Sequence, residues 1–357
     1  METTGSGWTL IYAALVARWS WTTDLIFNGP CETLMTLYPL RFESLLRRYI
    51  WGGRRFATTL QKPLPPGEDY AESWELVDRR DVQSTVRFGA LQGMTLHQLG
   101  VRYGQELLGT EDAATGFPLL FKFIDAQHDL SVQVHPDDEL AAAFDPPDRG
   151  KTEAWVVLHA EPGSSLYAGL NPEVDRQRLE TEIRRGNIEA CLHRFSPRVG
   201  DCFLIPAGVV HAIGAGLLIA EIQQASDTTF RLYDWNRLDA AGQSRPLHVE
   251  QAFEAIDFDA APVVREDSTT CPSVDGIESL IHCEKFVLDR WRFEGSRDLG
   301  GGGRFHIVTV LGGQVMVSND PAKVPLRIGQ TCLIPAASEP VQLIATEPVT
   351  LLNMYLP

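Results

Sequence analysis

Two nearly repeated phrases constrain this chain more than any other feature: GDCFLIPAGVVH begins at Gly200 and GQTCLIPAASEP at Gly329. Both run from a turn glycine through Leu-Ile-Pro-Ala, the pattern of a strand closed by a turn, so one supersecondary unit occurs twice. Around them, short apolar runs recur between turn residues at 121–124, 131–134, 154–158, 202–205 and 217–222. That is the rhythm of an all-β barrel or sandwich rather than of alternating strands and helices. The expected fold is therefore mainly β, with two related barrels, a first unit over 35–250 and a second over 251–357. Residues 172–195 are charged with apolar residues at helical spacing, which predicts a helical insertion between strands. Further helical pieces are expected near 45–50 and 96–108. The stretch 252–275, with Pro262, Pro272 and several acidic residues, reads as a connection.

The differences between the copies carry the chemistry. Gly208 and His211 of the first become Ala337 and Pro340 in the second. A copy that has lost its histidine keeps the fold without the ligand, so a metal site belongs to the first barrel.

Composition narrows the partners. With 31 Lys and Arg against 47 Asp and Glu, the net charge is −16, which argues against nucleic acid, whose backbone is bound by an excess of basic groups. The apolar stretch 8–17 resembles a signal-peptide core, but Glu2 stands where a basic region is expected and ten residues are too few to span a bilayer. Residues 1–34, which precede Met35 and lack the period of a strand or helix, are expected to be a dispensable extension. Six cysteines without a CxxC pair read as reduced cytoplasmic thiols. No membrane partner is expected.

Four side chains have metal-ligand character: Gln133 and His135 in SVQVHPDDE, Glu153 in GKTEAW, and His211 in PAGVVH. Gln133 and His135 are two apart on an expected strand, so both point to one face. Two neutral imidazoles and a carboxylate, completed by an amide oxygen or water, suit Zn²⁺ in a catalytic site. Taken alone, an isolated histidine is more often a surface or hydrogen-bonded core residue, and His97, His128, His159, His193, His248, His282 and His306 receive that reading. Glu221, if its strand continues from His211, faces the cavity and can work as general acid or base, with Lys151 as a rival base.

The spacing of Gly200, Pro206, Gly208 and His211 follows the second motif of the cupin barrels, which are jelly-roll-like. Together with LSVQVHPDDE, GKTEAW, EIQQASDTTFRLYDWNR, RYIWGGRR and AESWE, in that family's order, the chain from about Met35 onward resembles the short bacterial type I mannose-6-phosphate isomerases. The resemblance implies a Zn²⁺-dependent enzyme interconverting mannose 6-phosphate and fructose 6-phosphate, one ion per chain, acting as a monomer or weak homo-oligomer. It implies His135, Glu153 and His211 as metal ligands with Gln133 at a fourth position, Arg231 as the catalytic arginine, and Ser131 and Lys151 near the phosphate or sugar. Asp227 is expected to orient Arg231 or bind substrate, and Arg237 to assist with the phosphate. The alternatives are an isomerase of the same family with another sugar or sugar phosphate as substrate, and a non-catalytic sugar-binding barrel; an iron dioxygenase is disfavoured because Gln-x-His departs from the usual His-x-His.

Overall fold

The apolar runs pair as antiparallel strands. In a computed structural model, which describes residues 36–109, 116–238, 242–267 and 273–357, the strands Leu119–Ala126, Leu217–Gln224 and Glu153–Ala160 form the centre of a seven-stranded sheet. Glu72–Leu76 and Leu45–Arg47 extend one flank; Cys202–Ile205 and Arg265–Glu266 extend the other. A five-stranded sheet runs in the order Phe230–Tyr233, Val132–Val134, His211–Ile213, Leu166–Leu170, Leu192–Phe195. The two sheets share one core, in which Trp155, Val157, Phe203, Ile205 and Ile219 of the first meet Leu166, Ala168 and Ile213 of the second.

The three central strands are buried on both faces, and the two-residue period sorts their side chains into two cores. Ile124, Trp155, Val157, Leu217 and Ile219 point into the barrel. Their neighbours Phe121, Phe123, Ala154, Val156, Leu218, Ala220 and Ile222 point outward into a separate, larger core. That outer core is completed by the helix Leu96–Leu108, through Leu99, Tyr103 and Leu107, and by Phe286, Leu288, Ile307, Leu352 and Met354. The latter come from an eight-stranded sheet built on Val287–Leu299 and the long strand Val341–Tyr355, whose own interior holds Trp291, Val308, Val310, Ile334 and Leu343. Within it the repeated phrase again forms a strand, Thr331–Ile334, which pairs with His306–Gly312.

The helix Leu96–Leu108 forms where expected, started by a reciprocal cap in which Thr95 and Gln98 each bond the other's backbone N–H. Other expectations need correction. Residues 45–50 are not helical: Leu45–Arg47 is a strand paired with Glu72–Trp74, so sheet edge pairing overrides local propensity. The insertion at 172–195 is helical only over Arg176–Arg185, from an Asp175 cap to left-handed Gly186, with a 3₁₀ turn at Ile188–Cys191. Its last residues, Leu192–Phe195, form the edge strand of the five-stranded sheet. The stretch 252–275 is more than a connection, since helix Val249–Ala255 runs into it and Arg265–Glu266 pairs with Cys202 and Phe203. The expectation for 1–34 lies outside the described residues. Among the described residues no helix is long and apolar enough to cross a membrane.

Candidate active site

Register brings the predicted ligands together. His211 opens the strand His211–Ile213 directly opposite Gln133, and Arg231 stands opposite Gln133 on its other side. Side chains facing each other across an antiparallel pair project from the same face. His135 follows the end of Val132–Val134, and Glu153 opens Glu153–Ala160 on the other sheet. Gly208 shapes the turn before His211. Its φ of +84° is left-handed, its N–H donates to the His135 carbonyl at 2.9 Å, and its own carbonyl accepts from Asp257 N at 3.0 Å. The turn that presents one histidine is thereby tied to the residue carrying the other.

His135, Glu153 and His211 are all buried, and their ligand atoms lie within 4.8 Å of one another. Each histidine Nε2 stands 3.4 Å from the Glu153 carboxylate. The far nitrogens are committed: His135 Nδ1 lies 2.9 Å from the Thr228 carbonyl and His211 Nδ1 2.9 Å from the Val209 carbonyl. A carbonyl only accepts, so each Nδ1 carries the proton and each Nε2 presents a lone pair to the cluster, the arrangement of metal-ligating histidines. Electrostatics agree with that protonation. Burial, then the charge of Lys151, pushes His135 down to about 3, and burial also lowers His211. Burial alone would raise Glu153, but the adjacent Lys151 charge outweighs it and holds the carboxyl well below its usual range. The set is deprotonated at neutral pH, as a divalent cation requires. Gln133 stands beside it, with its amide nitrogen 3.2 Å from His211 Nε2 and its Oε1 accepting from Ser131 Oγ at 3.3 Å.

Beside the cluster, reached through Gln133 and Lys151, lies a cavity of about 290 Å³ that is also lined by Ser131, Glu221, Asp227 and Arg231 but not by Arg237. Lys151 Nζ sits 2.7 Å from Glu153 Oε2 and 3.0 Å from His135 Nε2. Glu221 is buried; Trp155 Nε1 donates to its Oε2 at 3.0 Å, and Lys122 Nζ stands 3.1 Å from its Oε1 without a well-directed hydrogen bond. Burial and the nearby Glu153 raise the Glu221 carboxyl above its usual value. Arg231 is half-buried, donating from Nε to Ser131 Oγ at 3.3 Å and from Nη1 to the Pro246 carbonyl at 2.7 Å. Those groups orient it, not Asp227, which is exposed at the cavity and takes part in none of the described hydrogen bonds. Arg237 is turned away to Asp234 and the Asp129 carbonyl, and Arg245, which shares Asp234, lines the cavity instead.

Sequence reasoning missed Lys122 and Glu72, and read His248 only as a surface or hydrogen-bonded residue. Lys122 reaches Glu72 at 3.3 Å as well as Glu221, and its signal was a charged residue inside the apolar run LLFKFI. His248 accepts from the Arg231 backbone N–H at 3.2 Å, a contact that no spacing announced.

Comparison with known proteins now decides the family. Residues 40–153 match the catalytic domain of type I phosphomannose isomerase. The mannose-6-phosphate isomerase ManA of Bacillus subtilis is 34% identical over 306 residues, spanning 84% of this chain and 94% of that protein. The chain belongs to the type I phosphomannose isomerase family. The Streptococcus mutans mannose-6-phosphate isomerase is 32% identical, over 83% of this chain and 92% of that protein. Among solved structures, the Bacillus subtilis mannose 6-phosphate isomerase superposes with a TM-score of 0.80 at 29% identity, over 90% of this chain and all of that one. The phosphomannose isomerase of Salmonella typhimurium, at 14% identity and a TM-score of 0.71 over 90% of this chain, shares the fold. The mainly β, two-barrel, cupin-like architecture expected for the family is the one described above.

Proposed function

We propose that the chain interconverts D-mannose 6-phosphate and D-fructose 6-phosphate, moving a proton between C1 and C2 through an enediol or enediolate. Zn²⁺ is the proposed cofactor, held by His135, Glu153 and His211 with Gln133 as a fourth donor. The observation that carries the reading is the donor set itself: two Nε2 lone pairs, fixed by backbone carbonyls, converge on one buried carboxylate beside a cavity that exposes a guanidinium. Bound zinc supplies Lewis acidity toward a sugar oxygen.

The remaining work falls to side chains. Among the described ion pairs lining the cavity, Lys122, Lys151 and Arg245 each answer a carboxylate, whereas the described hydrogen bonds of Arg231 go to uncharged groups. Its charge is therefore available to stabilise a developing enediolate. Glu221 is the proposed base: its Oε1 has no directed donor, and its raised pKa favours taking up and returning the carbon-bound proton. Lys151 is less suited to that role because its ammonium already donates to Glu153 and holds the ligand carboxylate. Lys151, Arg245 and the Ser131 hydroxyl are the donors that the cavity offers a phosphate dianion. Asp227 would repel a phosphate, so it is assigned to a sugar hydroxyl. The free thiols of Cys191, Cys283 and Cys332 support a reducing, cytoplasmic setting.

The test incubates zinc-loaded and chelated protein with mannose 6-phosphate and follows fructose 6-phosphate. Conversion by the loaded protein alone is expected. No conversion by the loaded protein overturns the proposal, and faster turnover of another aldose phosphate assigns the second specificity.

A further inference from the structure

We infer that Asp148 and Arg79, neither of which lines the cavity or touches a proposed ligand, form a clamp that positions His135 through Thr228. The inference rests on the proposed metal reading of the site.

One carboxylate gathers five donors. Asp148 Oδ1 accepts from Arg79 Nη1 at 2.9 Å and from the Arg149 backbone N–H at 2.9 Å. Its Oδ2 accepts from Arg79 Nη2 at 3.1 Å, Ser226 Oγ at 3.2 Å and Thr228 Oγ1 at 2.7 Å. Arg79 Nη1 also donates to the Ala225 carbonyl at 2.7 Å. The two-toothed Arg79–Asp148 pair therefore grips the segment after Leu217–Gln224 at three successive points, Ala225, Ser226 and Thr228. Such a pair fixes orientation as well as distance.

The gripped segment does two things at the site. The Thr228 carbonyl accepts from His135 Nδ1 at 2.9 Å, so it sets both the tautomer and the ring plane of a proposed ligand. Asp227 and Thr229, on either side of Thr228, line the cavity. A carbonyl can orient an imidazole only as well as its own residue is held. Thr228 is a partly buried residue in a segment without strand or helix pairing, and its described side-chain anchor is Asp148. Arg79 comes from the small hairpin Asp78–Arg79 and Val82–Gln83, so a structure remote from the metal cluster in sequence controls the aim of one ligand.

The clean perturbation is Thr228→Val, which removes the hydroxyl and keeps the backbone carbonyl and the side-chain shape. Outer partners of ligating histidines typically contribute 10–100-fold to metal affinity. One bond farther out, an affinity for Zn²⁺ about tenfold weaker is expected, measured by competition with a chromophoric chelator, together with a changed visible absorption of the Co²⁺-substituted protein. Thr228→Ser should restore both, because it returns the hydroxyl. Asp148→Asn should weaken zinc similarly, and Thr228→Val keeps the test open if that variant fails to fold. A Thr228→Val protein with wild-type zinc affinity and cobalt spectrum overturns the inference, as does a Thr228→Ser protein as weak as the valine variant. A lowered melting temperature with unchanged affinity overturns it too, by assigning the clamp to stability alone. Wild-type protein that takes up neither metal defeats the metal reading itself, a result separable from all of these.

Discussion

Replacing Gly208 by alanine perturbs the site without touching a ligand, and its effect can be worked from the turn's geometry. At φ +84° an alanine pays for a left-handed backbone, about 1–2 kcal/mol. Its Cβ would also stand 3.0 Å from Asp257 Cβ and 3.2 Å from both the Ala255 carbonyl and Asp257 N, contacts with little room to give because two of the three are backbone. Overpacking of this kind adds about 1–3 kcal/mol. The total, about 2–5 kcal/mol, is expected as a lower urea midpoint of the chelated protein. Relief by moving the turn is not free, since Gly208 N–H holds the His135 carbonyl at 2.9 Å and His211 follows three residues later. Zinc affinity should therefore fall at least tenfold along with stability. The second barrel provides the control. Ala337 occupies the equivalent place with a negative φ and an exposed side chain, so Ala337→Gly should cost under about 1 kcal/mol, through the unfolded chain, and leave zinc affinity unchanged. A Gly208→Ala protein with wild-type midpoint and metal affinity, or an Ala337→Gly protein damaged equally, would refute the reasoning.

Three further outcomes are expected. Arg231→Ala should lower kcat by at least about 10²–10³-fold while zinc content, read by atomic absorption, stays at one per chain; wild-type-like kcat removes the arginine from the mechanism. Dialysis against a chelator should lower the melting temperature and re-addition of zinc should restore it, bound zinc adding about 2.7 kcal/mol of stability when free zinc is a hundredfold above its dissociation constant; a melting temperature indifferent to zinc argues against the buried site. In the second barrel, His306 is buried with Nδ1 3.0 Å from Asn353 Oδ1, and burial pushes it from 6.5 down to about 4. The unfolded chain takes up this proton first, so the stability it contributes is complete above about pH 6.5 and is lost as pH falls toward 4, roughly 3 kcal/mol in all. Urea midpoints at several pH values should show this slope flattened in His306→Gln, and parallel slopes would exclude His306 as its source.

The cluster was legible because His135, Glu153 and His211, the proposed ligands, each sit at the end of a strand within a local phrase, where a few neighbouring residues determine the side chain's direction. Gln133 and His135 share a phrase, and Gly208 and His211 share another, so period and turn chemistry were enough to place them. Lys122 and Glu72 were not legible in the same way. Their meaning comes from pairing between Glu72–Leu76, Leu119–Ala126 and Leu217–Gln224, strands far apart in the chain, which sets Lys122 between two carboxylates. The same limit explains the strand at Leu45–Arg47: Leu-Leu-Arg-Arg suits a helix locally, and the partner that makes it a strand lies at Glu72–Trp74. Arg265–Glu266 reads as connection for the same reason, since two residues have no period of their own and gain their identity by pairing with Cys202 and Phe203. Arg237 and Arg245 show the converse error. Both are basic and near Arg231, but Asp234 and the Asp129 carbonyl draw Arg237 aside, a competition visible only in three dimensions.

The second barrel has lost the histidine yet kept the strand that precedes it, and packing accounts for the asymmetry. The outward face of the first barrel's central strands presents Phe121, Phe123, Val156, Leu218 and Ile222, an apolar surface that water would meet if nothing covered it. Phe286, Leu288, Ile307, Leu352 and Met354 cover it, each worth about 1.5–3 kcal/mol on burial. Polar contacts set the seam: Arg290 Nη1 donates to the Gly200 carbonyl at 2.7 Å, at the head of the very phrase that ends in His211, and Lys285 Nζ meets Asp138 at 2.8 Å. Asp138 in turn accepts from Gly150 N–H at 2.8 Å, one residue before Lys151. Residues of the second barrel are thereby tied to the chain just before Lys151 and to the start of the phrase that carries His211. Leu333 of the repeated phrase lies in that same core and pairs with Leu40 in both directions at 2.8 Å, so packing holds this copy of the strand where no histidine follows it.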